Sequence, residues 1–213
     1  MEELLTYFPA LADTQQSQFA QLGPLYTDWN AKINVVSRKD IDQLYKHHVL
    51  HSLALTQLIN LRPGARVLDL GCGGGFPGVP LAIVYPEVDW TLVDSTKKKL
   101  TVINEIAGAI GLANVTTHHT RVEDFRAGRG QFDFVVSRAV AALPQLFSWA
   151  RPMLSDEDRH SVPNGLVAYK GGNAQRMKEE LNSLHRSIYR ETYPIREWFK
   201  EEYFWEKYLV YCN

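Results

Sequence analysis

The chain has only two cysteines, Cys72 and Cys212, in 213 residues. That is too few for a disulfide framework or a cysteine-built zinc cluster, and it points to a reducing, cytoplasmic setting. Long apolar runs are also missing. The longest, near Gly78–Tyr85, falls far short of the roughly 20 residues a membrane helix needs. The opening MEELLTYFPALADTQQ starts acidic and lacks the basic segment and apolar core of a secretory signal. Nor is there an excess of positive charge. With 23 basic and 24 acidic side chains the net charge is −1, so any contact with nucleic acid has to come from a local patch. No repeat or low-complexity segment is present.

What is present suits a globular protein: 45% hydrophobic and 22% charged residues, enough to bury the core of one domain with a decorated end. Residues 1–60 read as a helical cap. Phe19, Leu22, Leu25, Tyr26 and Trp29 recur at spacings of three and four, and a second such pattern runs from Ile41 to Ile59. Asn30–Arg38 connects the two, with Ser37 placed to cap the second helix. From residue 61 the pattern changes to a domain of alternating strands and helices. Strands are expected at Arg66–Leu70, Trp90–Val93, Val115–His118, Phe132–Ser137 and Leu166–Tyr169. Helices are expected within Pro77–Tyr85, Lys98–Gly111, Leu143–Leu154 and Ala174–Arg190. Such alternation builds a doubly wound α/β fold around a mostly parallel sheet. The aromatic segments Tyr193–Phe199 and Tyr208–Tyr211 suggest an antiparallel hairpin at the sheet edge, giving seven strands in all. Asp156–Asn164 reads as an exposed loop.

The first strand runs into Val67-Leu-Asp-Leu-Gly-Cys-Gly-Gly-Gly-Phe-Pro-Gly78, a turn able to approach a ligand closely. A dinucleotide fingerprint fits at Gly71 and Gly73, but Phe76 takes the place of its third glycine. A phosphate-binding Walker loop is excluded, because no Gly-Lys-Ser/Thr follows. An acid two residues ahead of the glycines, Asp69, resembles motif I of class I methyltransferases, where it attracts the ammonium of S-adenosylmethionine. Asp94 closes the second strand about 20 residues on, where an acid takes ribose hydroxyls of a nucleoside cofactor. Glu123 and Asp124 follow the third strand, where an adenine amino group would lie, and Arg138 follows the fourth. A nicotinamide cofactor stays open at this point, since Asp94 would serve it equally well.

Three further blocks follow the glycine turn Asp69–Ala82: Leu92-Val-Asp-Ser95, Arg121-Val-Glu-Asp-Phe125 and Phe132-Asp-Phe-Val-Val-Ser-Arg-Ala139. Together with Trp29–Arg38 and His48–Ser52 they resemble the glucose-inhibited division protein B family. The likeness spans roughly residues 25–172. It implies a Rossmann-like class I methyltransferase that uses S-adenosylmethionine to methylate N7 of one guanine in small-subunit (16S) ribosomal RNA. It also implies cofactor contacts at Gly71, Phe76, Val122, Glu123 and Arg138. The chain departs from the family at His51, where many members have an acid. Residues 100–103 lack a phenylalanine common in that helix, and Ser155–Val162 resembles an insertion.

Guanine N7 carries no proton, so no general base is expected, and Arg138 is read as a positioning group. Lys97-Lys98-Lys99 opens a helix, where cations oppose the dipole, so an external phosphate is a natural partner. Arg38 and Lys170, with Lys32 and Lys46, extend that candidate RNA surface. Trp29 and Trp149 sit among apolar neighbours at helical spacing and are read as core. His47, His48 and His51 lack an acid or cysteine at ligand spacing, so no metal is expected. The expected partner is ribosomal RNA or an assembling subunit, met by a monomer. A methyltransferase for small molecules or proteins and a nicotinamide oxidoreductase are the competing readings.

Overall fold

The computed structural model of the chain describes residues 1–126 and 128–213. Its centre is a seven-stranded sheet in the order β3-β2-β1-β4-β5-β7-β6. The strands are β1 (Arg66–Leu70), β2 (Asp89–Asp94), β3 (Val115–His119), β4 (Phe134–Arg138), β5 (Gly165–Gly171), β6 (Arg190–Pro194) and β7 (Lys207–Cys212). The first five are parallel, and β7 runs antiparallel between β5 and β6. Chain order reverses at β1, which pairs with β2 on one side and β4 on the other. Such a reversal leaves a crevice at the carboxyl ends of the strands.

Period-two alternation divides the sheet's side chains between two cores. Val67, Trp90, Leu92, Phe134 and Val136 face one side, with α5 (Gly78–Val84), α6 (Lys97–Ala109) and the N-terminal helices. Leu68, Leu70, Val93, Val135 and Leu166 face the other, with α7 (Leu143–Ala150) and α8 (Ala174–Asn182). The N-terminal part contributes α1 (Glu2–Tyr7), α2 (Asp13–Lys32) and a π-helical Leu44–Leu50 that continues into α3 (His51–Leu53) and α4 (Leu55–Leu58). Phe19, Leu22 and Tyr26 of α2 are fully buried in the same core as α5 and α6. The cap is therefore welded to the sheet domain by shared apolar burial.

Local chemistry moves several boundaries away from the sequence expectation. Ser37 does not cap the second helix: its Oγ accepts the Lys39 N–H at 3.4 Å, and a 3₁₀ turn starts later, at Ile41. Within Leu143–Leu154 the α-helix runs to Ala150 and then tightens into a 3₁₀ turn at Arg151–Met153 around Pro152. Within Ala174–Arg190 the helix runs from Ala174 to Asn182, and β6 begins at Arg190. That strand ends at Pro194, which is followed by a 3₁₀ turn rather than strand through Phe199.

Candidate functional site

Four strand ends converge on one cleft of about 380 Å³. Its walls include Gly71 and Gly73 after β1, Asp94 at the end of β2, Val122 and Glu123 after β3, and Arg138 at the end of β4 with Ala139 and Val140. The volume suits a nucleoside-sized ligand.

The turn after β1 is bound into the sheet by its own backbone. Gly71 and Cys72 N–H groups both donate to the Val93 carbonyl, at 2.9 and 3.0 Å. Two glycines here have steric reasons. Gly71 adopts φ +70°, and a Cβ there would overlap the Val140 side chain across the cleft. Gly78 opens α5 so closely over β1 that its N–H reaches Asp69 Oδ2 at 2.9 Å, and a Cβ would press on Leu92. Beneath the turn, Tyr26 of the cap donates to the Gly74 carbonyl at 2.7 Å, and Asn30 Oδ1 accepts from Val35 and Val36 at 2.9 Å each. The cap thus braces the glycine turn from behind.

Asp94 spans the crevice wall. One carboxylate oxygen accepts the Gly73 N–H at 2.9 Å and the other the Thr96 N–H at 2.7 Å. Each oxygen keeps a further lone pair for a hydroxyl donor. Asp69 is fully buried and lies outside the cleft wall; its Oδ1 has no hydrogen-bond partner among the described residues. Burial raises its pKa to about 7, against a smaller downward pull from the Gly78 N–H.

Arg138 has no acidic side chain in ion-pair range among the described residues. Its guanidinium lies 5.4 Å over the Phe76 ring and donates to His48 Nδ1 at 3.0 Å and to the His47 carbonyl at 3.4 Å. Burial, reinforced by Arg138, lowers the His48 pKa to about 3, so the imidazole is neutral and free to accept that bond. His51 is buried beside Tyr169, Tyr203 and Phe204, and burial likewise holds it neutral. His47 stacks on Tyr203 with ring centroids 3.9 Å apart and bonds Asp40. Each histidine thus has a protein partner at Nδ1, whereas Nε2 of His48 and of His51 has none among the described residues. Among the described residues, no group of three histidine, cysteine or acidic side chains is placed to hold a metal ion.

Of the residues singled out from sequence, Gly71, Gly73, Asp94, Val122, Glu123 and Arg138 meet at the cleft, while Asp69 and Phe76 sit behind it. Lys99 also lines the cleft, whereas Lys97, Lys98 and Arg38 are exposed. Lys170 pairs with Glu180 at 3.0 Å, Lys46 with Glu3 at 3.3 Å, and Lys32 covers the Trp29 ring. Trp149 packs against the second core, as the core reading has it, and also lines the cleft. On α7 Trp149 flanks the buried stripe of Leu143, Leu146 and Ala150, which lets it meet both the core and the cleft.

These residues fit S-adenosylmethionine by their chemistry: an unpaired guanidinium for a carboxylate, Asp94 for ribose hydroxyls, and Val122 with Trp149 as apolar faces for a purine. The sequence model of the family described as GidB, rRNA small subunit methyltransferase G, matches residues 15–194. Curated relatives named Ribosomal RNA small subunit methyltransferase G include one from Phocaeicola vulgatus, 49% identical over 100% of this chain and 98% of its own. Another, from Porphyromonas gingivalis, is 50% identical over 96% of this chain and 90% of its own. Among solved structures, a SAM-dependent methyltransferase from Aquifex aeolicus aligns with TM-score 0.58 at 13% identity, over 79% of this chain and 91% of its own, a likeness of fold. By sequence along nearly its whole length, this chain belongs to the rRNA small subunit methyltransferase G family.

Proposed function

We propose that the protein transfers a methyl group from S-adenosylmethionine to N7 of a guanine in small-subunit ribosomal RNA, in the cytoplasm, on free RNA or an assembling subunit. The observation that carries the reading is the meeting of Asp94, Glu123, Gly71 and an unpaired Arg138 at four adjacent strand ends. Bound there, S-adenosylmethionine supplies an electrophilic methyl group on a sulfonium. Asp94 would hold the ribose, Val122 and Glu123 the adenine, and Arg138 the carboxylate, with Gly71 and Gly73 admitting the chain closely.

The remaining work is orientation. A purine N7 presents its lone pair without losing a proton, so no side chain has to act as a base. The neutral, half-buried His48 serves Arg138 instead, fixing the guanidinium plane by accepting one of its N–H groups. Exposed Lys97, Lys98 and Arg38 would meet RNA phosphates, which adds affinity without sequence information. No helix among the described residues is long and apolar enough to cross a membrane.

Calorimetry with S-adenosylhomocysteine and with NAD tests the cofactor: the first should bind and the second should not, and the reverse would end the reading. Mapping of methylated guanine in ribosomal RNA from a deletion strain tests the substrate. One N7-methylguanine should disappear and return with the wild-type gene; an unchanged map would remove the RNA assignment.

A further inference from the structure

A second cavity, of about 510 Å³, opens beside the cofactor cleft and shares Ala139 and Val140 with it. Its far wall carries an ion pair, Lys170 of β5 with Glu180 of α8, at 3.0 Å. Both side chains are largely shielded, at 12% and 20% exposure. Backbone groups fix the pair from two sides: Lys170 Nζ donates to the Ala141 carbonyl at 2.7 Å, and Glu180 Oε2 accepts the Leu143 N–H at 3.2 Å. This leaves one ammonium N–H and the whole of Glu180 Oε1 without a partner among the described residues. A shielded ion pair is worth its desolvation only when its remaining valences are met, and here they face a cavity.

Resting on the methyltransferase reading above, we propose that this cavity seats the target guanine, with Glu180 and Lys170 reading its Watson–Crick edge. That edge presents two donors, the 2-amino group and N1–H, and then one acceptor, O6. A carboxylate beside an ammonium offers the complement: Glu180 accepts from the donors and Lys170 donates to O6. Adenine presents an acceptor at N1 and a donor at N6, so both groups meet the wrong partner. N7 lies across the fused ring from the 2-amino group. A base held by α8 at that edge turns N7 away from α8, towards the Ala139–Val140 wall common to both cavities. Exposed Val140 gives that wall an apolar face for the ring. Glu180 and Lys170 thereby act as positioning residues.

The test uses small subunits rebuilt with guanosine or inosine at the modified position, since inosine lacks only the 2-amino group. Wild-type kcat/KM should fall about 10–100-fold on inosine, the loss of a hydrogen bond to a charged acceptor. Glu180→Met should lose a similar factor on guanosine and become nearly indifferent to the exchange. If that variant does not fold, Lys170→Met/Glu180→Met, which strands neither charge, gives the same comparison. Affinity for S-adenosylhomocysteine should stay within about twofold of wild type in any folded variant, as expected of separate sites. A wild-type enzyme that treats both bases alike, or a variant that keeps the preference, overturns the proposal. A wild-type protein that fails to bind S-adenosylhomocysteine would instead remove the cofactor reading on which it rests.

Discussion

Arg138 is the charge on which the cleft turns, because its protein neighbours are a neutral imidazole, a carbonyl and an aromatic face. Arg138→Gln should weaken S-adenosylhomocysteine binding by about 10–100-fold in calorimetry, the worth of a charge-assisted hydrogen bond. Unchanged affinity would place the carboxylate elsewhere. Asp69 poses a different question, one of pH. Its carboxyl holds its proton to about pH 7 in the folded protein, while the unfolded chain releases it near 3.8. The folded state therefore binds the extra proton between those values, and wild-type stability falls as pH rises through them. Asp69→Asn lacks this loss. Its stability relative to wild type, from urea midpoints, should improve by about 1.4 kcal/mol per pH unit from pH 5 to 7. A pH-independent difference would show that Asp69 is ionised when buried. Asp94 and Arg138 were legible in the sequence because each directly follows a β-prone run, and Glu123 because it stands a few residues beyond one; strand ends are where such folds bind. Trp149 and Glu180 were not, because which side of a helix meets a cleft depends on how that helix packs.

At the scale of elements, the cap shows how one helix repairs another. Pro24 interrupts α2 and has no N–H to offer the Ala20 carbonyl. The Tyr45 hydroxyl, from the π-helical segment, fills the gap: it accepts the Gly23 N–H at 3.2 Å and lies 2.7 Å from the Phe19 carbonyl and 3.3 Å from that of Ala20. Tyr45→Phe should cost about 1–2 kcal/mol in chemical denaturation; a variant as stable as wild type would mean that α2 tolerates its break unaided. The periodicity of Phe19, Leu22 and Tyr26 announced α2, but its partner came from about twenty residues on and had no local signature. The same limit explains the tail. An aromatic, β-prone run identified β7, whereas the start of β6 at Arg190 depends on pairing with Cys212, a long-range contact that no short window contains.

Over the whole molecule, a net charge of −1 means that attraction to RNA is local. Three of the seven candidate cations are engaged by Glu180, Glu3 or Trp29 and Lys99 lines the cleft, which leaves Lys97, Lys98 and Arg38 as the exposed set. Lys97→Ala/Lys98→Ala should flatten the plot of log affinity for small subunits against log salt by about 1.5, two phosphate contacts' worth, with S-adenosylhomocysteine affinity unchanged. An identical slope would move the RNA path to another face. Fold class was legible because strand–helix alternation leaves few ways to bury both faces of a sheet; the insertion of β7 between β5 and β6 is a choice of topology that alternation does not encode. That insertion has a consequence for the molecule's breathing. Bonded along both flanks, and followed by Asn213 and Tyr189 exchanging backbone bonds at 3.1 and 3.2 Å, the 207–212 amides should be among the slowest to take up deuterium, although segments so near a terminus usually fray.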